Sequence, residues 1–124
     1  MNYNKAELCK DCKMPVEKRK WPRLGRVIMT RGVADKLNPD YWGVPNTHAG
    51  KHRSGKFKKD VQRAMAQYKR GDWGLSGRQD SKTNDESVEN GNRILAVYNT
   101  IEGKIWIITE RGRSTTTILF PSEY

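Results

Sequence analysis

Arg93-Ile94-Leu95-Ala96-Val97-Tyr98, a break over Asn99 to Gly103, then Lys104-Ile105-Trp106-Ile107-Ile108-Thr109-Glu110, and finally Ser114-Thr115-Thr116-Thr117-Ile118-Leu119-Phe120 form the stretch that decides the fold. These three runs of six or seven residues are dense in β-branched and aromatic side chains, and turn-forming residues separate them. That pattern reads as a three-strand antiparallel meander. With residues 100–103 as the first loop, Arg93 faces Glu110, Leu95 faces Ile108 and Val97 faces Trp106. A second loop over 111–114 sets Thr115 beside Glu110 and Thr117 beside Ile108. Side chains alternate along a strand, so one face carries Ile94, Ala96, Tyr98, Ile105, Ile107, Ile118 and Phe120, an apolar surface that must be covered. The other mixes Leu95, Val97, Trp106, Ile108 and Leu119 with a polar end of Arg93, Glu110, Thr115 and Thr117.

Upstream, Phe57, Val61, Ala64, Met65 and Tyr68 recur at three- and four-residue spacing, which predicts an amphipathic helix able to cover that apolar face. Gly71-Asp72-Trp73-Gly74 stops it, and Ser81 to Asn90 reads as a short acidic helix ended by Gly91. Residues 38–56 read as loop, with Pro39, Gly43, Pro45, Gly50 and Gly55 as breakers and Tyr41-Trp42 as an apolar anchor. Leu24 to Thr30 reads as a first strand beside the meander, and Thr30 as the cap of a short helix that runs through Leu37 and ends at Asn38-Pro39. The expected architecture is α+β: helices packed on one face of a three- to four-stranded antiparallel sheet over residues 24–124, preceded by a basic N-terminal extension over residues 1–23 that bears a CxxC pair.

A chain of 124 residues is long enough to bury roughly two-thirds of its unfolded surface, so it folds without staples. No apolar run approaches the roughly 20 residues of a transmembrane helix, and the first residues lack the hydrophobic segment of a signal peptide; a cytoplasmic protein is expected. The net charge is +10, but residues 1–70 hold 18 basic and 6 acidic side chains whereas residues 71–124 hold 6 and 8. Charge confined to one half of a chain makes a directional field that attracts a polyanion, so nucleic acid, RNA or DNA, or a nucleic-acid-bearing complex is the expected partner.

Three constellations carry candidate chemistry. Lys51, Arg53, Lys56, Lys58, Lys59, Arg63, Lys69 and Arg70 supply cations at a density suited to phosphates, with small residues between them that let backbone approach; the alternative is a solvated flexible loop. Cys9, Cys12, His48 and His52 have ligand types and spacings suited to one structural zinc ion, although the two halves lie further apart than in a compact zinc finger and surface CxxC pairs also occur without metal. At the polar end of the sheet, Glu110 with Arg93 and Arg113 has the composition of a general base among phosphate-holding guanidiniums. The simpler account is a cross-strand ion pair with no catalytic residue at all.

Gly71-Asp72-Trp73-Gly74, Asn84, Gly91, Arg93-Ile94-Leu95, Tyr98, Ile105-Trp106-Ile107-Ile108-Thr109-Glu110, Arg113-Ser114, Thr116-Thr117-Ile118-Leu119, Pro121 and Glu123-Tyr124 resemble the tail of an uncharacterised family of short bacterial proteins carried on plasmids and other mobile elements. The resemblance covers residues 24–124 and implies a small accessory protein. Where Ala-Asp usually follows the Thr-Glu of that family, Arg111-Gly112 stands here. A second likeness joins Arg93-Ile94-Leu95, Trp106-Ile107-Ile108, Thr115 and Thr117 to the C-terminal strands of barnase-like ribonucleases, in which Arg93 would hold phosphate; their general-acid histidine has no counterpart near residues 112–114. Together these readings favour a non-catalytic mobile-element or phage accessory protein that binds nucleic acid and regulates or inhibits a host defence system of CRISPR or restriction type, with an RNA-cleaving toxin as the alternative.

Overall fold

The computed structural model describes residues 22–39 and 48–124, the first three residues of the second segment as backbone only. In chain order the elements are β1 (Arg26–Met29), α1 (Arg31–Leu37), α2 (His48–Lys69), α3 (Arg78–Asn90), β2 (Ile94–Thr100), β3 (Gly103–Thr109) and β4 (Thr115–Leu119), with a single 3-10 turn over Pro121–Glu123. The chain is α+β. Of the N-terminal extension only Pro22 and Arg23 are described, so Cys9 and Cys12 lie outside the described residues, as do Tyr41 and Trp42.

The meander forms in the register its alternation predicts. Leu95 pairs with Ile108 and Val97 with Trp106, while Ile108 pairs with Thr117. Gly103 takes the positive φ, +100°, at the end of the first turn, and the second loop closes through Glu110 N–H on Thr115 O at 3.0 Å. The sheet order is β1-β4-β3-β2, and the expectation of a wholly antiparallel sheet fails at β1, which lies parallel to β4. The ladder begins with Arg26 N–H on Ser114 O and ends with Thr30 N–H on Ile118 O, both 3.0 Å, so β1 and β4 start at the same end of the sheet. To enter there the chain must cross the backbone of the 111–114 loop. Gly25 permits this: it sits at φ +60°, and a Cβ would lie 2.2 Å from the Arg113 carbonyl oxygen.

The apolar face is covered as expected. Phe57, Val61, Ala64 and Tyr68 of α2, with Val33 of α1, close over Ile94, Ala96, Tyr98, Ile105, Ile107 and Ile118 in one core. A chain of hydroxyls runs through it: Tyr68 Oη to Thr109 Oγ1 at 2.5 Å, Thr109 Oγ1 to Thr116 Oγ1 at 2.8 Å, and Thr116 Oγ1 to the Leu24 carbonyl at 2.7 Å. Because a carbonyl can only accept, Thr116 donates to Leu24, Thr109 donates to Thr116, and Tyr68 donates to Thr109. Burial pushes the Tyr68 phenol up to about 12, against the smaller opposing effect of its bond to Thr109.

Two helix starts differ from expectation: α3 begins at Arg78, three residues before Ser81, and α2 begins well before its apolar stripe. Residues 48–56 read as loop, yet α2 starts at His48 and runs 22 residues through Gly50 and Gly55. A glycine inside a helix costs only about 1 kcal/mol. Tertiary contacts offset it: Ser54 is buried, and Arg53 forks onto Glu102 of the β2–β3 turn at 2.7 and 3.1 Å. α1 keeps Thr30 at its N-cap position and ends at Leu37 as expected, but the Thr30 side chain does not make the cap. The Thr30 hydroxyl makes no cap bond and instead donates to Glu123 Oε1 at 2.6 Å, while the other oxygen of Glu123 accepts Gly32 N–H at 2.9 Å.

The two edges of the sheet are treated differently. On β2, Leu95 exchanges both backbone bonds with the Asn84 amide, Val97 O accepts Leu75 N–H at 2.7 Å, Val97 N–H donates to Ser76 Oγ, and Asn99 O accepts Arg63. That edge is closed to further pairing. Val27, Ile28 and Met29 of β1, by contrast, are each at least 40% exposed.

Candidate functional site

The basic candidates fall on α2, whose buried stripe leaves most of its circumference to solvent. Lys56, Lys59 and Arg63 follow one another at three- and four-residue spacing on the side away from Phe57 and Val61, and Lys51, Lys58 and Lys69 run down a flank. A 22-residue helix is about 33 Å long, so these cations form an extended track. Gly55 opens a shallow recess among Lys51, His52, Lys56 and Lys59. The first turn of α2 holds no acidic residue.

The structure divides the eight candidates into two groups. Arg53 is held by Glu102, whose side chain is only 4% exposed and which also has Lys36 Nζ at 3.9 Å. The hydrogen bonds to Glu102 raise the Arg53 pKa further above its ordinary value. Arg63 is shared between Asp60 Oδ1 at 2.9 Å and the Asn99 carbonyl at 2.7 Å. Both arginines therefore tie α2 to the tip of the β2–β3 hairpin. Asp60 supports them by accepting Ile101 N–H at 2.7 Å. Lys51, Lys56, Lys58, Lys59, Lys69 and Arg70 are exposed, and none makes an ion pair among the described residues.

The polar end of the sheet is only partly assembled. Arg93 Nε lies 3.6 Å from Glu110 Oε1, with both side chains more than 40% exposed, and the Arg93 guanidinium sits 5.3 Å from the centroid of the Tyr124 ring. Arg113 does not join them. Its backbone adopts φ +65°, and its guanidinium donates to Asn92 O at 2.8 Å and to Ser87 O, capping the C-terminal end of α3.

His48 and His52 occupy positions one turn apart on α2, and His52 is exposed. Among the described residues no group of three or more His, Cys, Asp or Glu side chains gathers around one point. The zinc expectation, which depends on Cys9 and Cys12, thus lies beyond the described residues. No helix among them is long and apolar enough to cross a membrane.

Comparison with family models, curated proteins and solved structures returns no match.

The tail motif has physical reasons of its own here. Asp72 accepts Gly74 N–H at 3.1 Å and the Gln67 amide at 3.0 Å, Trp73 Nε1–H donates to Asp85 at 2.8 Å, and Tyr98 Oη–H donates to the Asp72 carbonyl at 2.6 Å. Burial, helped by the nearby Asp72 charge, holds the Tyr98 phenol far above its ordinary pKa. The residues that sequence reasoning missed are Glu102, which immobilises Arg53, and Tyr124, which brings a ring to Trp106 and Arg93. Neither has a local signal, because each acts on a partner outside its own element.

Proposed function

We propose that this chain is a non-catalytic accessory protein that binds nucleic acid, alone or within a nucleoprotein complex, through the exposed face of α2. The observation that carries the reading is the set of six cations, Lys51, Lys56, Lys58, Lys59, Lys69 and Arg70, that are exposed and make no ion pair among the described residues. Lysines already engaged with carboxylates have less to offer a phosphate, whereas these release counterions when they meet one. Arg53 and Arg63 are assigned to holding the helix in place. The tail motif implies a small accessory protein of a mobile element, and regulation or inhibition of a host defence system is the setting we propose for such binding. In a filter-binding titration, replacing Lys56, Lys58 and Lys59 together by Ala should weaken binding by at least tenfold, and replacing Lys82 and Lys104 should change it less than threefold. Equal effects of the two sets would place the interface elsewhere.

RNA cleavage is the second reading, favoured by the closeness of Arg93 and Glu110 on an exposed face. It is weakened by the commitment of Arg113 to α3 and by the absence of any histidine from residues 71–124 to protonate the leaving oxygen. RNA fragments produced by the unmodified protein and absent with Glu110→Gln would establish the enzyme.

A further inference from the structure

The face of the sheet opposite α2 has its own chemistry. Alternation places Leu95, Val97, Trp106, Ile108, Thr117 and Leu119 there, and the parallel pairing of Arg26 with Thr115 and Ile28 with Thr117 adds two β1 side chains to the same side. The 3-10 turn packs against β3 and brings Tyr124 edge-on to Trp106, with ring centroids 5.4 Å apart at 66°. Tyr124 remains 67% exposed, with the Arg93 guanidinium stacked beside it. Next to this cluster, between α3 and β2, runs a groove of about 250 Å³ with Leu95 and Val97 as its floor and Arg93, Ser76, Thr83 and Asp80 around it.

We propose that the accessible part of this face, around Trp106, Tyr124 and the groove and not the buried Ile108 and Leu119, is a seat for unpaired nucleobases of a single-stranded nucleic acid. An aromatic pair with an accessible ring and an arginine stacked on it is the combination that holds a base by its π-face, and a duplex keeps those faces hidden within its own stack. The aliphatic floor of the groove accepts a second flat ring, and hydroxyls with one carboxylate at its rim can meet the polar edges of a base. The strands and their flanks carry Arg26, Arg93 and Lys104 against Glu110, whereas α3 across the groove is acidic and brings Asp80 to its rim, so phosphates following the bases would run over the strand side, away from α3. Asn84, which also lines the groove, has its amide committed to Leu95 and shapes the wall without meeting a ligand. The class of ligand rests on the nucleic-acid reading above, whereas the surface is separate from it, since α2 and this face lie on opposite sides of the sheet.

The test uses the full chain and a trinucleotide, triuridylate or trithymidylate, followed through the tryptophan indole N–H signals by NMR. The Trp106 signal should move and saturate with both probes or with one, the pair of probes distinguishing RNA from DNA. The Trp73 signal should stay, because its indole is buried and bonded to Asp85. In the Trp106 variants, which lack that indole, binding is followed through the backbone amide signals of Leu95 and Val97. Trp106→Ala and the surface change Arg93→Ala should each lower affinity about tenfold, and Trp106→Phe, which keeps a ring, less than about threefold. Arg93→Ala keeps the test decisive if loss of Trp106 disturbs folding. A saturable shift that persists when Lys56, Lys58 and Lys59 are all Ala supports the seat. No shift at Trp106, equal losses in the Ala and Phe variants, or an equal response to a blunt duplex would overturn it, whatever the lysine substitutions do to longer nucleic acids.

Discussion

Gly74 marks how closely the joint between α2, α3 and the sheet is built. It sits at φ +63°, and a Cβ there would lie 2.4 Å from the Val97 carbonyl oxygen and 2.5 Å from the Tyr98 ring, so no other residue fits without moving the edge of β2. Glu123 makes a joint of another kind, joining the 3-10 turn to the first turn of α1. Some desolvation pushes its carboxyl upward, but hydrogen bonds from Thr30, Phe120 N–H and Gly32 N–H outweigh that and leave its pKa below the ordinary value. The lowered folded pKa fixes the sign of the pH effect: the stabilisation is present at neutral pH, above the unfolded pKa, and is lost as pH falls through the folded one. Glu123→Gln is therefore expected to destabilise the chain by roughly 0.5–1 kcal/mol at neutral pH, the size of an exposed cap, with the difference from the unmodified protein disappearing in acid. Urea titrations of the two proteins across that range check it, and a gap that widens toward low pH would contradict it.

At the scale of elements, the most informative contrast is between the two edges of the sheet. The outward backbone groups of Leu95 and Val97 on β2 are all satisfied, two of them by the one side chain of Asn84, which is 4% exposed. Asn84 thus replaces two rungs of a fifth strand. Asn84→Ala should cost about 2–3 kcal/mol, because it strands a partly buried N–H and C=O together, and it should speed amide exchange at Leu95 specifically. Unchanged exchange there would mean that water replaces the amide at no cost. Arg113 shows a related economy: a non-glycine residue at positive φ carries strain of about 1–2 kcal/mol, and its two carbonyl partners at the end of α3 hold it there.

For the whole molecule the decisive property is polarity of charge. Cations crowd α2, which holds seven Lys and Arg side chains against one Asp, whereas α3 holds two against four acidic ones. Binding through the α2 face should consequently fall steeply with salt, the slope of log affinity against log salt being roughly −0.9 for each phosphate neutralised on duplex DNA. Replacing Lys56, Lys58 and Lys59 by Ala should make that slope shallower by about 2–3, while Glu110→Gln leaves it unchanged. A slope that is the same in all three proteins would assign the electrostatic contact to residues outside α2.

The sequence by itself determined what depends on periodicity and local chemistry. Alternation over residues 93–120 sufficed for the meander, its register and its two faces, and the spacing of Phe57, Val61, Ala64 and Tyr68 sufficed for the covering stripe. Gly91 could be read as a helix end because it takes φ +80°, a conformation glycine adopts without strain. Only the tertiary structure decided the direction of β1, since four residues alternate alike whether a strand runs parallel or antiparallel. It also extended α2 back through two glycines, where the Arg53–Glu102 fork and the burial of Ser54 outweighed propensity. Among the candidate site residues, the eight cations could be identified from their density, but not which of them were already spoken for. The Arg53–Glu102 ion pair spans 49 positions, and the Thr30–Glu123 hydrogen bond spans 93. Distances along the chain of that size carry no local pattern, and only folding brings such partners together.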